Sequence, residues 1–294
     1  MPGKKEAYIR AVARLVRETN NLEGDALWRA VELLEGAHGR IEEALLTGGT
    51  EWEVARLQRL RTQVEATMQD FARRYAAEFR GRESTAWELG ERMVDDPLGA
   101  YGVSTTGWPM LSRARLEILQ GFSADLITNM SQDSIRRITG VITRAAMTEM
   151  GPAEAMAEIT RLFGMMGITR TGPWRATGIL YRAELITRTE LLRTFSLSTQ
   201  ARLMQAVELV PGMGKRWVAT GDSRTRASHL AAHGQVVPAG GRFRVGGWEC
   251  DYPRDPALPP AESCNCRCRH VAWLPEFGEE WGALDERIQR LMRR

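Results

Sequence analysis

The chain has 294 residues, enough for a sizeable core and, as a soft prior, for two domains of unequal size. At 43% hydrophobic and 26% charged it lies in the ordinary globular range, and no run approaches the roughly 18 apolar residues of a spanning helix. Met1 to Ala7 leads into an arginine-punctuated helix and not an apolar leader, so the expectation is a protein made and used without crossing a membrane.

A net charge of +3 is too small to argue for nucleic acid by itself, because phosphate binding needs a concentrated basic surface. Lysine occurs only at Lys4, Lys5 and Lys215, so nearly all of the 40 basic residues are arginine, spread along the chain as codon bias would spread them. All four cysteines fall between Cys250 and Cys268, which is no disulfide framework and fits a reducing compartment.

In chain order, Leu27, Val31, Leu34, Ile41 and Leu45 follow a three-and-four spacing that predicts an amphipathic helix, with His38 in its seam as a partly exposed histidine and not a ligand. Gly48-Gly49 breaks the pattern, and Thr50 with Glu53 forms a capping box for a second helix carrying Val54, Leu57, Val64, Met68, Phe71 and Tyr75. Two such stripes joined by a tight turn predict an antiparallel helical hairpin. Asp95 to Pro109 has the Pro, Gly, Ser and Thr content of a linker.

Short amphipathic helices are expected at Leu111 to Met130, Ser134 to Met150 and Pro152 to Phe163, the last opened by Gly151-Pro152. A long helix starts at Thr171-Gly172-Pro173 and runs to about Leu209. Beyond Pro211 the pattern turns β-prone, at Trp217-Val218-Ala219, Gln235-Val236-Val237, Arg242-Phe243-Arg244-Val245 and His270-Val271-Ala272-Trp273. Gly212-Met213-Gly214-Lys215 fails as a phosphate loop, since Leu209 replaces the leading glycine and Arg216 follows the lysine; it is read as a helix C-terminal turn.

Three segments carry the functional signal: Arg188-Thr189-Glu190, then Trp217 to His233 with Asp222-Ser223-Arg224-Thr225 and His233-Gly234, then Glu262 to His270 with Asn265-Cys266-Arg267-Cys268. Their order and separation over residues 175 to 275 resemble the phage Mu F-like head morphogenesis (minor head) proteins. The fold expected is therefore mostly α with a small C-terminal α+β domain. An elongated helical hairpin would occupy residues 1–100, and a linker with short helices 101–170. The Mu F-like domain, a long helix plus a short antiparallel sheet, would occupy 171–275, and a basic C-terminal helix 276–294.

The resemblance implies a non-enzymatic minor capsid protein that joins the procapsid, meets the portal, capsid or scaffold proteins and packaged DNA, and resides in the virion, in the head interior or near the portal, after assembly in the host cytoplasm. It implies no small-molecule substrate and no membrane.

Among the residues themselves, Arg188, Glu190, Trp217, Asp222, Arg224, Thr225, Asn265 and Arg267 form the expected structural motif. Asp222 caps a turn and Arg224 reaches a buried acceptor, for which Glu190 is the natural choice. No catalytic residue is expected. His229 and His233 are four apart and share a face if helical, so with Cys266 and Cys268 they are the candidate metal ligands, for a structural zinc if any cofactor is present. On a strand, alternate cysteines would stand about 6.8 Å apart against the roughly 3.7 Å that one zinc allows, so one ion takes Cys264, Cys266 and Cys268 only if the backbone bends. Leu230 stands where a zinc protease places its base, which favours structure over chemistry.

Arg287, Arg290, Arg293 and Arg294 lie at helical spacing near the end, open to DNA contact or simply complementing a helix C-terminus. Two other readings stay open: a metal-dependent hydrolase, nuclease or toxin-like enzyme built on the His and Cys cluster, and a DNA-binding module.

Overall fold

A computed structural model describes residues 2–47, 51–165 and 177–293. The Gly48-Gly49 break, the Thr50 cap, the helix start at Thr171-Gly172-Pro173 and Arg294 lie outside them. The described chain is mostly helical: α1 (Pro2–Leu46), α2 (Val54–Tyr101), α3 (Ala114–Met147), α4 (Pro152–Phe163) and α5 (Gly178–Ala206) precede a small mixed region. That region holds β1 (Gly214–Val218), α6 (Ala227–Ala232), β2 (Val236–Pro238), β3 (Phe243–Val245), β4 (Trp248–Cys250), α7 (Pro260–Ser263), β5 (Arg269–Trp273), a 3-10 turn (Pro275–Glu280) and α8 (Trp281–Met292). None of the described helices is long and apolar enough to cross a membrane.

Contacts divide the chain into two compact units built from separated stretches. One comprises Met1–Gly24, Arg82–Leu119 and Arg188–Arg294; the other comprises Asp25–Gly81 and Gln120–Thr187.

In the second unit, α1 and α2 run antiparallel. Arg29 pairs with Glu78 and Arg40 with Asp70, the partner number falling as the first rises. Leu34, Ile41, Leu45, Val64, Met68, Phe71 and Tyr75 of the two stripes are buried, as the spacing predicts, whereas Val54 is exposed. Arg56 donates to the Leu45 carbonyl, one of those that the end of α1 leaves without a helical partner, and to the Glu51 carbonyl. His38 is part-buried, bonded to Thr160 Oγ1 at 2.9 Å and edge-on to Phe163.

The separate helices expected at Leu111 to Met130 and Ser134 to Met150 are one element, α3. Ser131 and Ser134 do not break it because each hydroxyl bonds a carbonyl, Ser131 to Met68 and Ser134 to Met130 within the helix. Likewise α2 continues through Pro97 into the stretch that reads as a linker. The amide that proline lacks costs less than the burial of Met93, Val94 and Leu98 returns.

In the first unit, the antiparallel pairing of α1 and α2 recurs, with Glu18 on Arg92 and Arg14 on Asp96. A three-stranded antiparallel sheet has the order β2-β1-β5, with Trp217 opposite His270 and Gly214 opposite both Trp273 and Pro238. β3 and β4 form a separate hairpin, of which β4 is not legible in the sequence. Gly212 to Lys215 is not a helix C-terminal turn alone: α5 has ended at Ala206, and Gly214-Lys215 opens β1, with Lys215 wholly buried. Burial pulls its ammonium down to about 8, partly offset by Asp251.

α5 packs on α2 where Gly90 meets Phe195 and Ser198. The Ser198 hydroxyl bonds the Trp87 carbonyl at 2.5 Å, and a Cβ at position 90 would clash with the Phe195 carbonyl oxygen and lie 2.7 Å from the Ser198 Cβ. Because the clash is with backbone, a rotamer change cannot relieve it. Gly90→Ala should therefore cost about 1–3 kcal/mol despite the higher helix propensity of alanine. A thermal melt in which Gly90→Ala equals or exceeds the parent would show that the helices separate freely.

Candidate functional site: a buried histidine and cysteine cluster

Asn265 adopts a left-handed backbone, φ 56°, at the end of the single turn α7. The chain then passes through Cys266, Arg267 and Cys268 without strand pairing, since β5 begins only at Arg269. The backbone bends here, the condition on which alternate cysteines can approach one ion. The bend brings Cys266 and Cys268 together with His229 of α6, their donor atoms all within 4.8 Å of one another.

His229 Nδ1 lies 3.3 Å from Cys268 Sγ and 3.5 Å from Cys266 Sγ, while its Nε2 is 3.0 Å from Glu262 Oε2. All three ligand candidates are at most 2% exposed, in a core made with Trp217, Phe243, Val245, Cys250 and Leu258. Trp217 meets the His229 ring edge-on at 5.8 Å between centroids.

His233 is not part of this cluster. It caps a six-residue helix whose face turns away, and its ring nitrogens meet the Ala219 amide and Gln289, with Asp285 3.9 Å away. Cys264 is half-buried and its carbonyl accepts from Arg226.

The motif residues converge on the same bend. Arg188 binds Glu23 through Nε and Asn265 Oδ1 through Nη1, and Thr189 Oγ1 accepts the Asn265 amide at 3.1 Å. Glu190 pairs with Arg193, not with Arg224. Burial raises the Glu190 carboxyl above its usual range, and Arg193 opposes the rise. Arg224 is exposed and bonds its own neighbour Asp222, because the turn points it to solvent.

The acceptor role belongs to Asp222 and the donor is Arg267, a two-pronged pair at 2.8 and 2.7 Å. Thr225 Oγ1 and the Arg224 amide also donate to Asp222, the local capping that the sequence implies. Hydrogen bonds from Arg267 hold the Asp222 carboxyl well below the usual carboxylate range, against a smaller effect of burial.

Arg254 is the residue that the sequence hides most completely. It is fully buried with φ 70°, and it donates to the carbonyls of Cys266 and Cys268, both at 2.9 Å, and to Ser196 Oγ. Arg269, also buried, donates to the Arg267 carbonyl and lies over the Phe195 ring. Burial opposes ionisation of Cys266, yet its contacts with Cys268, His229 and Arg254 take that thiol well below its ordinary value. Burial and the adjoining Cys266 push Cys268 well above. Glu262 and Arg254 carry no motif signal of their own; only the unusual density of cysteine and arginine from 250 to 269 marks the region.

Of the terminal arginines, Arg293 donates to the Thr220 carbonyl, Arg287 pairs with Glu6, and Arg290 is exposed. α8 is anchored by Asp285, which takes Arg216 at 2.6 Å.

A mostly helical chain ending in a small mixed domain, with these motifs knitted around one bend, defines a class that comparison identifies. Residues 138–271, a little under half of the chain, match the family described as Phage Mu protein F like protein. The chain is similar to the Mu-like prophage FluMu F protein of Haemophilus influenzae, 35% identical over 96 residues, which are 33% of this chain and 20% of that protein. It is also similar to the NAD(+)–arginine ADP-ribosyltransferase EFV of Enterococcus faecalis, 34% identical over 116 residues, 38% of this chain and 24% of that protein. The chain thus spans about a quarter or less of the length of these curated relatives. No solved structure matches it.

Asp222 offers a pH test of the knot. Its folded value lies below the unfolded value of about 3.9, so its contribution is complete above about pH 5 and is lost as acid protonates the folded carboxylate. Asp222→Asn should cost about 1–3 kcal/mol in urea unfolding at pH 7, and the gap to the parent should close on acidification toward pH 2. A gap constant with pH would mean that the charge of Asp222 is not what binds Arg267.

Proposed function

We propose that this chain is a phage head morphogenesis protein, a minor component that joins the procapsid and contacts the portal or other shell proteins and the packaged DNA. The observation that carries the reading is the family match over residues 138–271 together with the use its motif residues are put to. Arg188, Thr189, Asp222, Asn265 and Arg267 are spent on one another, on backbone and, for Arg188, on Glu23 of α1. A domain whose distinctive polar groups are consumed internally is suited to a structural role. Mass spectrometry of purified procapsids from the phage or prophage encoding the chain should find it at low copy number; procapsids that assemble normally and never contain it would refute the proposal.

The same geometry favours a structural zinc over an enzymatic one. His229 Nδ1 and the Cys266 and Cys268 sulfurs are the right donor types, and Glu262 on the far ring nitrogen is the outer carboxylate that fixes the tautomer of a ligating histidine. The thiolates would also supply negative charge beside the buried Arg254. Zinc there would clamp α6 to the bend at 266–268. The three donors leave a tetrahedral zinc one further position, and with all of them at most 2% exposed a substrate has no approach to it, as a hydrolase or nuclease would need.

The transferase activity in the name of the Enterococcus relative belongs to a protein of which this chain matches about a quarter, and nothing in the sealed cluster reproduces a substrate site. Elemental analysis of the full chain should find about one zinc per molecule. His229→Ala and Cys266→Ser should lower that content and the melting temperature together, whereas a metal-free parent indifferent to chelator would exclude the clamp.

A further inference from the structure

The first unit carries a second, open feature. A groove of about 700 Å³ runs along the N-terminal part of α1, walled by Arg10, Arg14 and Arg17, with Arg287 of α8 and Asp95 and Asp96 of α2 completing it. Its floor is small: Ala7, Ala11, Gly99 and Ala100 let a ligand backbone come close to both helices.

The lining carries four arginines against two aspartates. Both Asp95 oxygens are taken from behind by Arg202, at 2.6 and 2.7 Å. Asp96 is shared by Arg14 and Arg92. Glu6 is shared by Arg287 at 3.0 Å and, loosely, Arg10 at 3.6 Å, Arg14 also lies 3.5 Å from Glu18, and Arg17 is exposed with no acidic partner among the described residues. The groove therefore presents guanidiniums whose counter-charge is missing or spent.

We propose that this groove binds the phosphate backbone of duplex DNA without reading its sequence. Arginines at positions 10, 14 and 17 lie on one face of α1 and span roughly 10 Å at 1.5 Å per residue, the length of about three phosphates at 3.4 Å of axis per strand. Guanidinium forks match phosphate oxygens in a way that ammonium groups do not. An acidic protein segment is the weaker occupant, because a floor of alanine and glycine offers no pocket for the aromatic or aliphatic anchor on which protein interfaces depend. In choosing DNA over other polyanions the proposal rests on the head-protein reading, but it names a surface on α1 that lies apart from the family-matched residues 138–271.

The test uses the full chain and a fluorescent duplex of about 25 base pairs, with affinity measured against salt. Four phosphate contacts predict a slope of log K against log salt of about −3.6. Arg10→Gln with Arg17→Gln, which breaks no strong internal pair, should lower the slope by about 1.8 and leave the circular dichroism spectrum unchanged. Arg61→Gln with Arg73→Gln, an equal loss of charge on α2 in the other unit, should leave the slope as it was.

Three results would overturn the proposal: a groove variant with the parental slope, equal losses from both pairs, or competition by polyglutamate as effective as that by DNA of equal charge. Incorporation into procapsids is read separately, so a chain that enters particles yet binds no DNA through the groove defeats this proposal and leaves the assembly reading standing.

Discussion

A guanidinium taken out of water costs several kcal/mol unless its donors are met, and in the first unit two of them, Arg254 and Arg269, are fully buried with no ion pair to a carboxylate described for either. Backbone meets most of their terminal nitrogens, chiefly the carbonyls of Cys266, Arg267 and Cys268, while the Nε of each is buried without a partner among the described residues. Those carbonyls point inward only because the chain bends at Asn265, and the bend holds only while Arg188 and Thr189 grip Asn265 from α5 and Asp222 grips Arg267 from the turn after β1. Two left-handed non-glycine residues, Arg254 and Asn265, sit in this knot, a backbone cost that the surrounding bonds must offset. The sealed histidine and cysteine cluster is a consequence of the same bend.

The helices were legible because burial repeats along them: the stripes from Leu27 to Leu45 and from Val64 to Tyr75 are buried, whereas Leu57 is half-buried and Val54 exposed. Errors came where tertiary contacts override local grammar. Pro97 and Ser131 look like stops, yet buried neighbours and a hydroxyl bond to Met68 carry their helices through.

In the small domain, Asp222 was visible as a turn cap, but its arginine lies 45 residues away and not two, a long-range choice that spacing cannot express. His229, Cys266 and Cys268 could be shortlisted by donor type. That they meet while His233 goes to Gln289 depends on a short helix and a kink, both below the reach of periodicity. Glu262, Arg254 and the buried Lys215 gave no warning, since an isolated charged residue in sequence reads as surface.

The family likeness and the geometry meet in one small domain that holds its shape by internal polar bonds, which suits the scaffold role proposed for it. That accounts for related segments in two proteins whose names describe different things, each sharing only a fifth to a quarter of its length with this chain. It also separates two roles within the molecule. Rigidity comes from the sealed cluster and its arginines, whereas the exposed arginines of α1 are available for contact.

The most direct examination of the sealed cluster is X-ray absorption at the zinc edge on the purified full chain. If the bend exists to bring this buried three-donor set around one ion, the spectrum will show two sulfurs at about 2.3 Å and an imidazole nitrogen at about 2.0–2.1 Å. A shell of oxygen and nitrogen alone, or one dominated by exchangeable water, would contradict the account.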